Sequence, residues 1–156
     1  MTKTILKALA LGTALAGSAG ASAQTRTDET ALMSNDPDTR QFQDEYGFSD
    51  AVIAGDLIFL SGIVAGSPGR DLEKSYDSAY KLIGEILNRA GASYDDIVDI
   101  NSFHVDVKAE IGALSKVQKK YLKSPYPAWT AIDVDRLLPD NALTEIKIVA
   151  RKPAAK

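Results

Sequence analysis

The chain has 156 residues, with 18 Lys and Arg against 21 Asp and Glu, a formal net charge of −3 at neutral pH. That balance argues against a polyanionic partner, because a nucleic-acid reader ordinarily carries a basic face. Here the positive groups are scattered, apart from Lys119, Lys120 and Lys123 and a short tail of Arg151, Lys152 and Lys156. Cysteine is absent, so no disulfide holds the fold in any compartment.

The chain opens with MTKTILKALALGTALAGSAGASA, in which Lys3 and Lys7 precede an Ala/Leu/Gly stretch and a small-x-small site. This pattern predicts a secretory signal peptide over residues 1–23, cleaved after Ala23 and delivering the protein to the periplasm or the medium. An uncleaved membrane anchor is the alternative, disfavoured because the apolar run is too short to span a bilayer. Loss of the two lysines leaves 16 basic against 21 acidic residues, a net charge of −5. The remaining chain has to supply the core of a single domain.

Residues 24–44 are polar, with Asn35-Asp36 and Asp36-Pro37 as breakers and no hydrophobic period, and are expected to form a flexible lead-in. Folded structure is expected over 45–152, followed by a tail, 153–156. Ala51–Ile53 and Leu57–Ser61 are apolar runs separated by Ala54-Gly55-Asp56, which predicts a β-hairpin. Ser61-Gly62 closes its second strand, and Gly66-Ser67-Pro68-Gly69 reads as a loop. In DLEKSYDSAYKLIGEILNRAGA, residues Tyr76, Ala79, Tyr80, Ile83, Ile86, Leu87 and Ala90 recur at helical spacing, and Gly91 is placed to stop the helix.

A strand is expected over Ile97–Val107, with Ile100, Ser102 and His104 on one side and Asn101, Phe103 and Val105 on the other. A second helix carries the stripe Ile111, Leu114, Val117 or Gln118, and Tyr121. Pro125-Tyr126-Pro127 breaks the chain, and two strands, Ala128–Val134 and Thr144–Ala150, flank a turn at Leu138-Pro139-Asp140-Asn141. The order β-β-α-β-α-β-β packs most economically as an α+β fold, one sheet with both helices on one face. The strands carry apolar residues on both sides. The uncovered face is therefore expected to meet another copy of the chain.

The spacing of reactive residue types names no reaction. His104 is the one histidine, no HxH, HxxxH or CxxC pattern exists, and no metal is expected. A lone strand histidine reads as a packed, satisfied residue. A Ser-His-Asp site lacks the GxSxG turn, and Gly62, Gly66 and Gly69 do not compose a phosphate loop.

AGDLIFLSG (Ala54 to Gly62), NRAGAS followed by YDDIVDINSFHVDV, and YPAWTAIDVDRLLPDNALTEIKIVA together resemble the RidA/YjgF family, also called reactive intermediate deaminase or L-PSP proteins. The likeness runs from about Phe48 to Arg151. It implies a single-domain, chorismate-mutase-like α+β protomer with a six-stranded mixed sheet and both helices on one face. It further implies a homotrimeric barrel that binds a small-molecule ligand in the clefts between subunits. The implied activity is hydrolysis of reactive enamines and imines to a carbonyl compound and ammonia, with no cofactor and no metal.

In that family an arginine after Pro-Ala grips the substrate carboxylate through its planar fork. This chain has Trp129 there. An indole offers one N–H and no charge, which removes hydrogen bonds of about 1.5–3 kcal/mol each, or about two decades of affinity for a small carboxylate. Other implied binding positions also differ from the family's usual residues: Phe48 stands for a tyrosine, Ser115 for an asparagine, Ala131 for a small polar residue or cysteine, and Ile63 for a glutamine. Ser61, Gly62, Phe103 and Glu145 match.

Glu145 is the implied catalytic residue, a carboxylate that needs a partner or a wet cleft within an apolar strand. Ser61-Gly62 also has the plainer role of ending a strand, and Phe103 that of core. Arg136 either serves structure or replaces the clamp. Trp129 either plugs the cleft and packs the trimer or stacks on a flat ligand or a cation. With the N-terminal signal pattern predicting export, the resemblance implies a trimer acting on an imine, with a non-catalytic binding or chaperone-like trimer as the alternative. RNA cleavage, attributed to some relatives, fits poorly with the acidic balance.

Overall fold

The computed structural model describes residues 26–67, 69 and 71–153; the expected signal peptide and the end of the tail lie outside them. The expected lead-in is not structureless. Ala31–Leu32 forms a short strand, β1, and Pro37–Tyr46 a helix, α1. The residues that read as breakers are a helix start: Asp36 is the N-cap, its carboxylate accepting from the Thr39 amide at 2.8 Å, and Pro37 occupies the first turn. Proline is tolerated there because its missing N–H would have no intrahelical acceptor. Gly47, at φ 72°, ends the helix in the left-handed region.

The hairpin forms as expected, Ala51–Ala54 (β2) against Leu57–Leu60 (β3). Ile63–Ala65 is an additional strand, β4, hidden in sequence because it is three residues long beside glycines. Leu72–Arg89 is α2, capped by Asp71, and Gly91 adopts φ 79° just past its end. Ile97–His104 is β5, shorter than expected because Asp106 turns away to cap α3, Val107–Tyr121. Ala128–Asp133 (β6) and Thr144–Arg151 (β7) complete the chain.

The seven strands form one mixed sheet in the order β1-β2-β3-β7-β5-β6, with β4 pairing the start of β7 beside β3. Only β5 and β6 run parallel, joined through α3. The expected α+β architecture holds, extended by β1, β4 and α1.

Alternate residues of each strand point to the face covered by α2 and α3. Ile58, Leu60, Ile100, Ile146, Ile148 and Ala150 meet Tyr76, Tyr80, Ile83, Leu87, Leu114 and Val117 there, all buried. Each large side chain so buried contributes about 1.5–3 kcal/mol. Burial raises the tyrosine hydroxyl pKa of Tyr76 and of Tyr80, which satisfy Thr144 and Gln118 at 2.8 and 2.7 Å. The opposite face has no layer over it in the single chain. Phe59 and Val64 stand 40% and 41% exposed on it.

Candidate functional site

Glu145 of β7 lies in register between Val64 of β4 and Phe103 of β5, on the uncovered face. Its carboxylate is laid against the backbone at Gly62. A methyl group added to Gly62 would stand 2.8 Å from Glu145 Cγ and overlap the carboxylate itself. The missing side chain of Gly62 is therefore what admits Glu145 to this position.

Ser61, next in the chain, donates its hydroxyl to the Ser49 carbonyl at 2.7 Å while its amide donates to the Asp50 carbonyl at 2.9 Å. Those bonds end the strand, as the plainer reading has it, but Ser61 also opens onto a cavity. This space, about 550 Å³, is bounded by Phe48, Ser49, Val52 and Ser61 together with Arg26, Asp28 and Ala31 of the N-terminal segment. Ala31, Val52 and Phe59 are partners in register. The cavity thus lies on the same face of the sheet as Glu145 and Phe103. Phe48 meets Phe42 edge to face, 5.8 Å between centroids.

The remaining candidates stand elsewhere. Trp129 and Ala131 pair with Ile100 and Ser102 across the parallel β5–β6 ladder, so they share the helix-covered side with those buried residues, while Ser115 is half-buried on α3. Within one chain, therefore, the eight expected site residues do not converge. Phe48, Ser61, Gly62, Phe103 and Glu145 form one group; Trp129, Ala131 and Ser115 do not join it. The division results from register, which is fixed by hydrogen bonding between strands and cannot be counted from spacing along one of them. Arg136 is exposed, with Asp140 3.8 Å away.

Trp129 is half-buried against the core, and its indole N–H donates to Ser102 Oγ at 2.9 Å. Ser102 Oγ is in turn 2.9 Å from His104 Nε2, and His104 Nδ1 is 2.9 Å from Glu110 Oε2. Glu110 also accepts from the Thr144 hydroxyl at 2.8 Å and from the Asp106 amide at 3.1 Å. With the carboxylate as acceptor, one assignment satisfies every atom: Nδ1–H donates to Glu110, Nε2 accepts from Ser102, and Ser102 oxygen accepts from Trp129. His104 is thus the satisfied packing residue expected. The network itself was not anticipated. Its one sequence signal is that Ser102 and His104 alternate with Phe103 on the same side as Ile100, which obliges two polar groups to find partners inside.

The sequence profile of the family described as Endoribonuclease L-PSP matches residues 39–152. The RutC family protein YjgH of Escherichia coli K12 is 35% identical over 114 residues, covering 70% of this chain and 86% of the relative. A human protein named 2-iminobutanoate/2-iminopropanoate deaminase is 28% identical over 109 residues, 66% of this chain and 78% of its own. Among solved structures, one titled Protein YJGH superposes with a TM-score of 0.69 at 30% identity, covering 83% of this chain and all (100%) of that one. On a match spanning nearly the whole folded region, and on these likenesses in sequence and structure, the chain belongs to the RutC/RidA/YjgF family.

Proposed function

We propose that this protein is an exported homotrimer that hydrolyses an imine or enamine in clefts built on the uncovered face of its sheet. The observation that carries the reading is the placement of Glu145 against Gly62, in register with Phe103 and beside Ser61. This is a carboxylate held by a glycine notch on the uncovered face, which it shares with Phe103 and, two residues on, with Lys147 opposite Asn101. In the reaction, water adds to the imine carbon, the carbon–nitrogen bond breaks, and ammonia leaves a carbonyl group behind. Glu145 takes the proton from the attacking water and returns it to the departing nitrogen. The rest of the work is positioning and exclusion of bulk water, which the neighbouring subunit supplies by closing over the uncovered face.

The names carried by relatives such as the human deaminase support this chemistry. The test is to generate 2-iminopropanoate with an amino-acid oxidase and follow its decay. Decay faster than the spontaneous rate, abolished in Glu145→Ala, supports the reading. A panel of linear and cyclic imines on which the wild type has no effect refutes it.

A non-catalytic, small-molecule-binding or chaperone-like trimer is the second reading. The observation favouring it is that Trp129 packs half-buried against its own protomer's core, its indole N–H taken up by Ser102. Any imine turnover dependent on Glu145 ends that alternative.

A further inference from the structure

The segment ahead of residue 39 lies outside the stretch that the family profile matches, yet it walls the cavity shared with Phe48 and Ser61. It is built into the fold. The Asp50 amide donates to the Leu32 carbonyl at 2.8 Å and the Ile53 amide to the Thr30 carbonyl at 2.7 Å. The Gln43 side chain, 1% exposed, accepts from the Ser34 amide at 2.8 Å and donates to Asp50 at 2.6 Å. Arg89 of α2 secures the same point, donating to Asp50 at 2.7 Å and to the Met33 carbonyl. A turn closed by Ala31 N to Thr27 O at 2.8 Å leads back to Arg26 at the cavity wall.

The charges there are uneven. Among the described residues, Arg40, Arg89, Arg136 and Arg151 each have an aspartate within 4 Å, namely Asp44, Asp50, Asp140 and Asp56. Arg26 has none. It faces a cavity whose floor carries the Ser61 end of the Ser61-Gly62 turn, and that turn abuts Glu145. The sequence lacks a guanidinium where relatives grip a carboxylate, because Trp129 stands there and folds into the core. The structure supplies an unpaired guanidinium on the opposite, uncovered face of the sheet, at the cavity wall.

We propose that Arg26 is the carboxylate anchor of this site, binding a small α-amino or α-imino acid whose cationic nitrogen end is met by Asp28 on the same wall. The inference rests on the reading of the uncovered face as the place of imine chemistry. A planar fork suits two carboxylate oxygens, and the cavity, about 550 Å³, holds a molecule of this size, its Ser61 end leading to the turn that abuts Glu145. The expected loss of small-anion binding is thereby reversed by a residue from outside the family domain.

The test is titration of the purified, isotope-labelled protein with propanoate and with L-alanine, followed through the amide signals of Ala31, Ser49 and Val52. Both ligands are expected to shift these signals. Arg26→Gln should weaken both at least ten-fold, while Asp28→Asn should weaken alanine more than propanoate. No binding to the wild type, or equal affinity in Arg26→Gln with an unchanged circular dichroism spectrum, overturns the proposal. The two readings fail separately: Arg26-dependent binding without imine turnover sustains the anchor and refutes the deaminase, whereas turnover with affinity indifferent to Arg26 does the reverse.

Discussion

Replacing Ser102 by alanine tests the buried network and the position of Trp129 together. The serine oxygen stands 2.9 Å from both the indole N–H and His104 Nε2. Alanine removes one oxygen, too little to open a cavity, so the cost is polar. His104 is fully buried and loses its only donor at Nε2, and a buried group left unsatisfied costs about 1–3 kcal/mol. Trp129 is only half-buried, so water recovers part of its lost bond. The sum is about 2–4 kcal/mol. With a urea slope of about 2 kcal/mol per molar for a domain of this size, the unfolding midpoint should fall by about 1–2 M.

Trp129 is the chain's one tryptophan, so its fluorescence reports both the transition and the native environment. Native emission should shift to the red as the indole loosens. A double-mutant cycle with Trp129→Phe, its midpoints read by circular dichroism because that variant has no tryptophan, should return a coupling of at least about 0.5 kcal/mol. An unchanged midpoint and unchanged native emission would show that the network does not hold the ring, and the division of the site residues between the two faces would lose its energetic basis.

Gly62→Ala forces Glu145 out of its notch and should lower imine turnover at least ten-fold, about 1.4 kcal/mol in the barrier. It should also lower the melting temperature, and the double variant Gly62→Ala/Glu145→Ala should regain most of that loss, since the overlap is then gone. No recovery in the melt counts against the notch. Asp36→Ala should speed amide exchange across 38–46 while leaving β7 amides protected. Hydrogen bonds from the Thr39 amide and hydroxyl hold the Asp36 carboxyl below its ordinary value of 3.8. The cap's contribution is therefore complete above that value and lost as pH falls through the lower folded one. Faster exchange in the variant that persists unchanged at the acid end would contradict the assignment.

The helical period of Tyr76, Tyr80, Ile83 and Leu87, the Gly91 stop, the hairpin around Gly55 and the motif-borne likeness were all legible in sequence, because each depends on neighbours within a few residues. Local rules also misled. Asn-Asp-Pro is a breaker in isolation and a helix start when Gln43 and Arg89 pin the N-terminal segment to the sheet, and the groups they bond lie far along the chain. Glu145 was identifiable as a carboxylate in an apolar strand, yet its seat at Gly62 required β4 to pair with β7.

The sequence by itself determined the α+β class, the family and the replacement of the clamping arginine by Trp129, since these reside in residue type and order. Which face each side chain takes was settled by tertiary structure alone. Strand alternation fixes neighbours as opposite but leaves the absolute side to inter-strand register. That register sends Trp129 inward to Ser102 and leaves Glu145 on the face where Arg26 waits.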